Sequence, residues 1–243
     1  MSPGPDISME YFYTPPHLIG EQFLTIEEDE FTHLTHVMRK RPGDSIRVVN
    51  GTGTAYDVTI VDTGRHTARC EITAAHQRLN EPEIALTLGV AILKNSSRFD
   101  FLVEKVTELG VTVIVPLLTE RTIPVHAKTG RWQKLALAAM KQSGRCVLPL
   151  VREASRFEEF VSSSRPESLQ MIPHEKADSG LARVLASRPC RNVVLCLGPE
   201  GGFSEREVSL AHDRGFQSVS LGPTRLRTET AAIVSAASVF LQS

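Results

Sequence analysis

From residue 84 onward, short apolar runs alternate with amphipathic stretches. Runs at 84–93, 111–118, 147–151, 169–172, 193–197 and 218–221 predict buried strands. Helical periodicity between them predicts helices around 97–109, 131–143, 155–163, 178–187 and 204–214, with a last one from about 229. This alternation points to an α/β domain, a mainly parallel sheet covered by helices on both faces. Ligands of such sheets bind beyond the carboxyl ends of the strands. Before residue 76 the pattern differs. Thr25-x-x-Glu28 predicts a capping box for a short helix whose apolar face is Phe31, Leu34, Val37 and Met38. After the turn signal Pro42-Gly43-Asp44 come β-rich segments at 45–49, 54–61 and 67–74. Asn50-Gly51 and Asp62-Thr63-Gly64 supply the turns between them, and short strands at this spacing predict a small β-barrel. The polar stretch 76–83, with Pro82, separates the two patterns, which places the domains at 1–78 and 79–243.

Composition narrows the class without naming a function. The 243 residues are 41% hydrophobic and 23% charged, which excludes collagen-like, disulfide-scaffold and disordered chains. A formal net charge of −1 argues against holding nucleic acid by bulk electrostatics. The charge is uneven, however, with a balance of −4 over residues 1–80 and +3 over 81–243. Residues 128–156 carry seven basic side chains (Lys128, Arg131, Lys134, Lys141, Arg145, Arg152, Arg156) and one acid, Glu153. That stretch reads either as a solvated helix face or as a local phosphate-binding patch. Cys70, Cys146, Cys190 and Cys196 form no C-x-x-C pair, so they read as reduced thiols, and no metal is expected. Residues 1–13 carry Asp6 and Glu10 and lack the apolar run of a signal peptide. The longest apolar stretch, 231–241, is too short to span a bilayer. A cytoplasmic location without a membrane partner is the expectation.

Two loops stand out. Leu197-Gly198-Pro199-Glu200-Gly201-Gly202-Phe203-Ser204 joins a strand to a helix that Ser204-x-x-Glu207 would cap. Its glycines allow sharp turns and close approach of a ligand, although it matches neither a P-loop nor G-x-G-x-x-G. A tight connection without a ligand is the alternative reading. Leu221-Gly222-Pro223-Thr224-Arg225-Leu226-Arg227-Thr228-Glu229-Thr230-Ala231 also joins a strand to a helix. Thr228 would be its N-cap and Glu229 would complement the first-turn dipole, a structural job that means its carboxylate need not be catalytic.

Taken together, residues 198–204 and 221–231 resemble the signature of the SPOUT methyltransferases, most closely the ribosomal RNA small subunit methyltransferase E family. Supporting segments follow in order: Phe101-Leu-Val-Glu-Lys-Val-Thr-Glu-Leu-Gly110, Pro116-Leu-Leu-Thr-Glu-Arg121, Trp132-Gln-Lys, and Gln142-Ser-Gly-Arg145. His33-Leu-x-x-Val-Met-Arg39 with Pro42-Gly43-Asp44 fits the family's small RNA-binding domain. The resemblance implies a PUA-like barrel, then a SPOUT α/β domain with a C-terminal trefoil knot, assembled as a homodimer. It implies S-adenosylmethionine as methyl donor and the N3 of a uridine in 16S rRNA of the small ribosomal subunit as acceptor.

The residues implied to hold the donor are Leu197, Gly198, Glu200, Gly201 and Gly202, then Leu221, Gly222, Leu226 and Thr228. Ile172 precedes a third loop, Pro173-His174-Glu175, where the family usually reads H-P-E. Arg227 is assigned to stabilise negative charge on the uracil carbonyls, and Glu229 is assigned as base or orienting group. Arg39, Lys94, Arg98, Arg121, Gln142 and Arg145 are expected to contact RNA, while His33 and His36 read as structural. Two other readings stay open: a related knotted enzyme acting on another RNA, and a non-catalytic ribosome-assembly factor.

Overall fold

A computed structural model describes residues 10–123, 126–164, 167–188 and 190–241. Most of the 1–13 stretch lies outside the described residues. The chain forms two compact units. One holds the chain up to Glu81 together with Met140–Leu148, and the other holds Pro82–Ala139 with the chain from Pro149 onward. The chain passes between the units three times, after Glu81, Ala139 and Leu148, where the sequence reading placed a single cut after residue 78.

The first unit is a curled mixed sheet in the order β1-β3-β4-β5-β2. Its elements are β1 (Tyr11–Tyr13), β2 (Phe23–Glu27), helix α1 (Glu28–Thr32), β3 (Ser45–Val49), β4 (Thr54–Thr63) and β5 (Thr67–Gln77). β1 runs parallel to β3, and the other neighbours are antiparallel. Alternate residues such as Leu24, Ile26, Ile46, Val48, Val58 and Ile60 point inward to one core, which Phe12 and Leu34 complete. Among the described residues no ladder closes the ring, but the hydroxyl of Thr14, just past β1, donates to Thr25 O of β2 at 3.2 Å. This is the PUA-like small barrel that the resemblance implies.

Two local expectations change here. Thr25 lies inside β2, and α1 starts after Glu27 without a side-chain cap. The helix then continues as a π-turn, His33–Val37, with Met38 N donating to His33 O at 2.9 Å. The wider turn rotates the apolar stripe. Phe31 and Leu34 stay buried, while Val37, expected on the inner face, is 63% exposed.

The run 147–151, expected to be one strand, is divided at Pro149. Before it, Gly53 N donates to Cys146 O at 3.0 Å and Leu148 N to Gly51 O at 2.8 Å, within the first unit. After it, Leu150–Val151 (β8) joins the second sheet. Glu81 holds the returning segment. Its Oε1 accepts from the backbone N–H groups of Cys146 and Val147, both at 2.8 Å. Its Oε2 accepts from Arg145 Nη2 at 2.7 Å and Nε at 3.2 Å. Both side chains are almost fully buried, and this set of donors matches a carboxylate's full capacity. Lys141 pairs with Glu30, and Asn80 Nδ2 donates to Gly144 O at 3.0 Å.

The second unit is a parallel sheet in the order β12-β10-β11-β6-β7-β8, with β9 added beside β7. In chain order its other elements are β6 (Ala85–Ala91), α2 (Ser96–Leu109), β7 (Val113–Leu118), α3 (Thr129–Gln142, whose end belongs to the first unit), β9 (Ser155–Arg156), α4 (Phe157–Ser163), β10 (Leu169–Pro173), α5 (Leu181–Ser187), β11 (Asn192–Leu197), α6 (Glu205–Asp213), β12 (Gln217–Val219) and α7 (Thr228–Phe240). The helix expected from 155 begins at Phe157, because Ser155 and Arg156 pair with Leu117 and Leu118. Phe99 of α2 stacks on Trp132 of α3 at 4.0 Å, and the indole N–H donates to Asp100 at 3.0 Å. Among the described residues no helix is long and apolar enough to cross a membrane.

Glu81→Ala removes the carboxylate that pairs with buried Arg145 and accepts from the Cys146 and Val147 N–H groups, and should cost about 3–5 kcal/mol in denaturant unfolding, whereas adding Arg145→Met should recover only part of that loss. Burial raises the Cys70 thiol to about 12, and burial followed by the nearby Glu81 carboxylate raises Cys146 to about 11. Burial also pushes Cys196 well up. Thiolate is scarce at these sites at pH 8, so iodoacetamide should label partly exposed Cys190 first in the native protein and all four after unfolding, read by mass spectrometry.

Candidate active site

Parallel pairing carries the carboxyl ends of β7, β10, β11 and β12 to one edge of the sheet. β11 ends at Leu197, which is buried, and the Gly198–Ser204 loop leads into α6. The expected capping box is present: Ser204 Oγ accepts from Glu207 N at 3.2 Å, and Ser204 N donates to Glu207 Oε2 at 2.8 Å. Glu207 is 1% exposed, and its other oxygen accepts from Glu120 N at 2.9 Å, beyond the end of β7. Inside the loop Gly202 N donates to Pro199 O at 2.8 Å, with Gly202 at φ +71°, a turn that favours glycine.

The second loop, between β12 and α7, reaches the first. Thr228 Oγ1 donates to Gly198 O at 2.8 Å, and Arg225 Nη2 donates to Glu200 O at 3.0 Å. Thr228 is thus the first helical residue, not the N-cap, which is Arg227 without a side-chain bond. A partner across the site takes the hydroxyl that would have served the helix. Glu229 sits in the first turn, 9% exposed, with Arg98 Nε 3.6 Å from its Oε1. The helix terminus and this arginine give its charge two partners. The Pro173-His174-Glu175 loop is joined to the same edge, since His174 N donates to Val219 O at 2.9 Å. Ile172 points its side chain into the core, leaving only its backbone to face a ligand.

The six residues expected to contact RNA are placed differently. Arg39 and Gln142 are exposed in the first unit, and Lys94 is exposed in the second. Arg39, at φ +54°, follows the π-turn, and the Lys40 N–H donates to Leu34 O at 3.0 Å. Arg98 faces Glu229. Arg121 Nη1 donates to Gly201 O at 2.6 Å and to Phe203 O at 3.4 Å. Arg145, also expected to contact RNA, is only 2% exposed and pairs with Glu81. The basic stretch is correspondingly divided: Arg131 pairs with Asp100, Lys141 with Glu30 and Arg145 with Glu81. Sequence reasoning missed the reach of Arg121 and Glu207 across the site, because their partners lie about 80 residues away in the chain.

Residues 80–240 match the family model described as an RNA methyltransferase domain, and residues 26–73 match an RNA methyltransferase PUA domain. The chain is 36% identical over 229 residues to the ribosomal RNA small subunit methyltransferase E of Synechocystis sp., covering 92% of this chain and 75% of that one. The protein of the same name from Rickettsia conorii is 29% identical, covering 94% of each. The crystal structure of the Neisseria gonorrhoeae protein of that name, bound to S-adenosyl methionine, superposes with a TM-score of 0.86 at 34% identity, covering 94% of this chain and 95% of that one. With both domains matched and the paired loops at the sheet edge, this chain belongs to the ribosomal RNA small subunit methyltransferase E family.

Proposed function

We propose that this protein transfers the methyl group of S-adenosylmethionine to N3 of a specific uridine in 16S rRNA of the small ribosomal subunit. The observation that carries the reading is the joining of the two loops, Thr228 to Gly198 O and Arg225 to Glu200 O, at the carboxyl edge of the sheet. Bare backbone is available there for a donor: a Cβ built at Gly202 or Gly222 would meet no atom within 4 Å. Gly198, Glu200, Gly201 and Gly202 with Leu221, Gly222 and Leu226 would hold the donor by backbone groups and apolar contact, with Leu197, Thr228 and the Ile172 backbone behind them. The knotted path is what the family resemblance implies for these loops. For the homodimer, the support is exposed apolar surface, Phe101 on α2 and Val234 on α7, two helices that pack together.

The donor supplies a methyl on a cationic sulfur, an already activated leaving group. The protein's own part is to position uracil N3 in line with that methyl and to favour loss of the N3 proton. Arg227, exposed at the start of α7, stabilises negative charge growing on the uracil carbonyl oxygens. Glu229, engaged by Arg98 and the helix terminus, orients this end of α7. Arg39, Lys94 and Gln142 offer exposed polar groups to RNA.

Calorimetry should detect S-adenosylmethionine binding; its absence at high donor concentration would favour an assembly factor. Nucleoside mass spectrometry should find N3-methyluridine in 16S rRNA only when the gene is present, and persistence after deletion would sink the assigned reaction. Arg227→Ala should lower kcat about 100-fold while the donor Kd stays within about threefold, as expected for a group acting on transition-state charge.

A further inference from the structure

We propose that Arg121 is a positioning residue for the methyl-donor loop, holding the carbonyls of Gly201 and Phe203 so that the loop is shaped before the donor arrives. The inference rests on the methyl-transfer reading above and reassigns a side chain expected from sequence to touch RNA.

A loop with glycines at 198, 201 and 202 has many backbone states, and ordering each residue costs conformational entropy. If binding had to impose that order, donor affinity would fall accordingly. Each part of the loop is instead gripped by a side chain from elsewhere. Thr228 takes Gly198 O, Arg225 takes Glu200 O, and Glu207 takes Ser204 N. Arg121 takes the interval between them, with one guanidinium nitrogen at 2.6 Å from Gly201 O and 3.4 Å from Phe203 O.

The base of Arg121 is itself fixed. Thr122 N donates to Thr119 O at 3.1 Å, Thr119 N donates to Thr122 Oγ1 at 3.1 Å, and the two threonine hydroxyls lie 2.8 Å apart. Glu120 N is bound to buried Glu207, so the turn carrying Arg121 and the start of α6 are held by one carboxylate. The arginine stem lies along Gly201, where a built Cβ would sit 3.4 Å from Arg121 Cδ. Both carbonyls are served by one guanidinium nitrogen on a side chain held at its base, so a single group fixes Gly201 and Phe203 together.

The test uses full-length Arg121→Ala and Arg121→Lys, with donor and small-subunit substrate varied independently. Arg121→Ala should raise the donor Kd and KM about tenfold, the scale of losing a hydrogen bond from a charged group. The RNA KM should stay within about twofold and the melting temperature within about 2 °C, because the side chain is exposed and lies outside the core. Arg121→Lys should recover part of the donor affinity, and hydrogen exchange at the 201–203 amides should quicken in donor-free Arg121→Ala. Unchanged donor affinity, or a rise confined to the RNA KM, would overturn the assignment; so would a fall in melting temperature that accounts for the lost affinity. Wild-type protein that fails to bind the donor would instead refute the methyltransferase reading itself.

Discussion

Parallel strand pairing is the constraint on which the second unit depends. A parallel sheet sends every strand toward the same edge, so connections after β7, β10, β11 and β12 cannot avoid meeting there. Each return must be made by a helix or long crossover, which places the chemistry-bearing loops on one side and the helices on the faces. Gly198–Ser204 and the loop ending at Thr228 are about 30 residues apart in sequence, yet share a hydrogen bond. The site is a product of sheet polarity before it is a product of any particular side chain.

Glycine-rich backbone at such an edge is open to a ligand but poor at holding a shape. Side chains from other segments supply the missing order. Thr228, Arg225 and Arg121 each donate to a loop carbonyl, and Glu207 caps α6 while reaching Glu120. Several motif residues thus have structural partners, and their side-chain chemistry is spent on arranging backbone. Arg227, exposed at the helix start, is the motif residue proposed to act on substrate charge.

The first unit depends on a different interaction. Glu81 ends the first passage of the chain through that unit, and it also receives the returning segment through Arg145, Cys146 and Val147. A buried carboxylate is tolerable only when its charge and lone pairs are matched. That requirement explains why Arg145 is withdrawn from the basic stretch, and Glu30 withdraws Lys141 in the same way. The near-neutral total charge is therefore accompanied by local pairing that reduces the apparent basic patch.

Periodicity and turn chemistry alone determined much of this protein. The alternating pattern after residue 84 located the parallel strands, and the Gly turns located β3 to β5. Ser204-x-x-Glu207 announced the start of α6, and the paired loop motifs pointed to the family. These signals are local, written within a few residues of the structure they specify. Tertiary structure decided what local signals could not. Val37 reads as inward until a π-turn shifts its phase, and Thr228 reads as a cap until Gly198 O claims its hydroxyl. The 147–151 run reads as one strand until the first unit takes Val147 and Leu148. Arg121 and Arg145 read alike as RNA contacts, although one holds the Gly201 carbonyl and the other neutralises a buried acid. Their roles depend on partners 64 to about 80 residues away, and no sequence window contains both halves of such a bond.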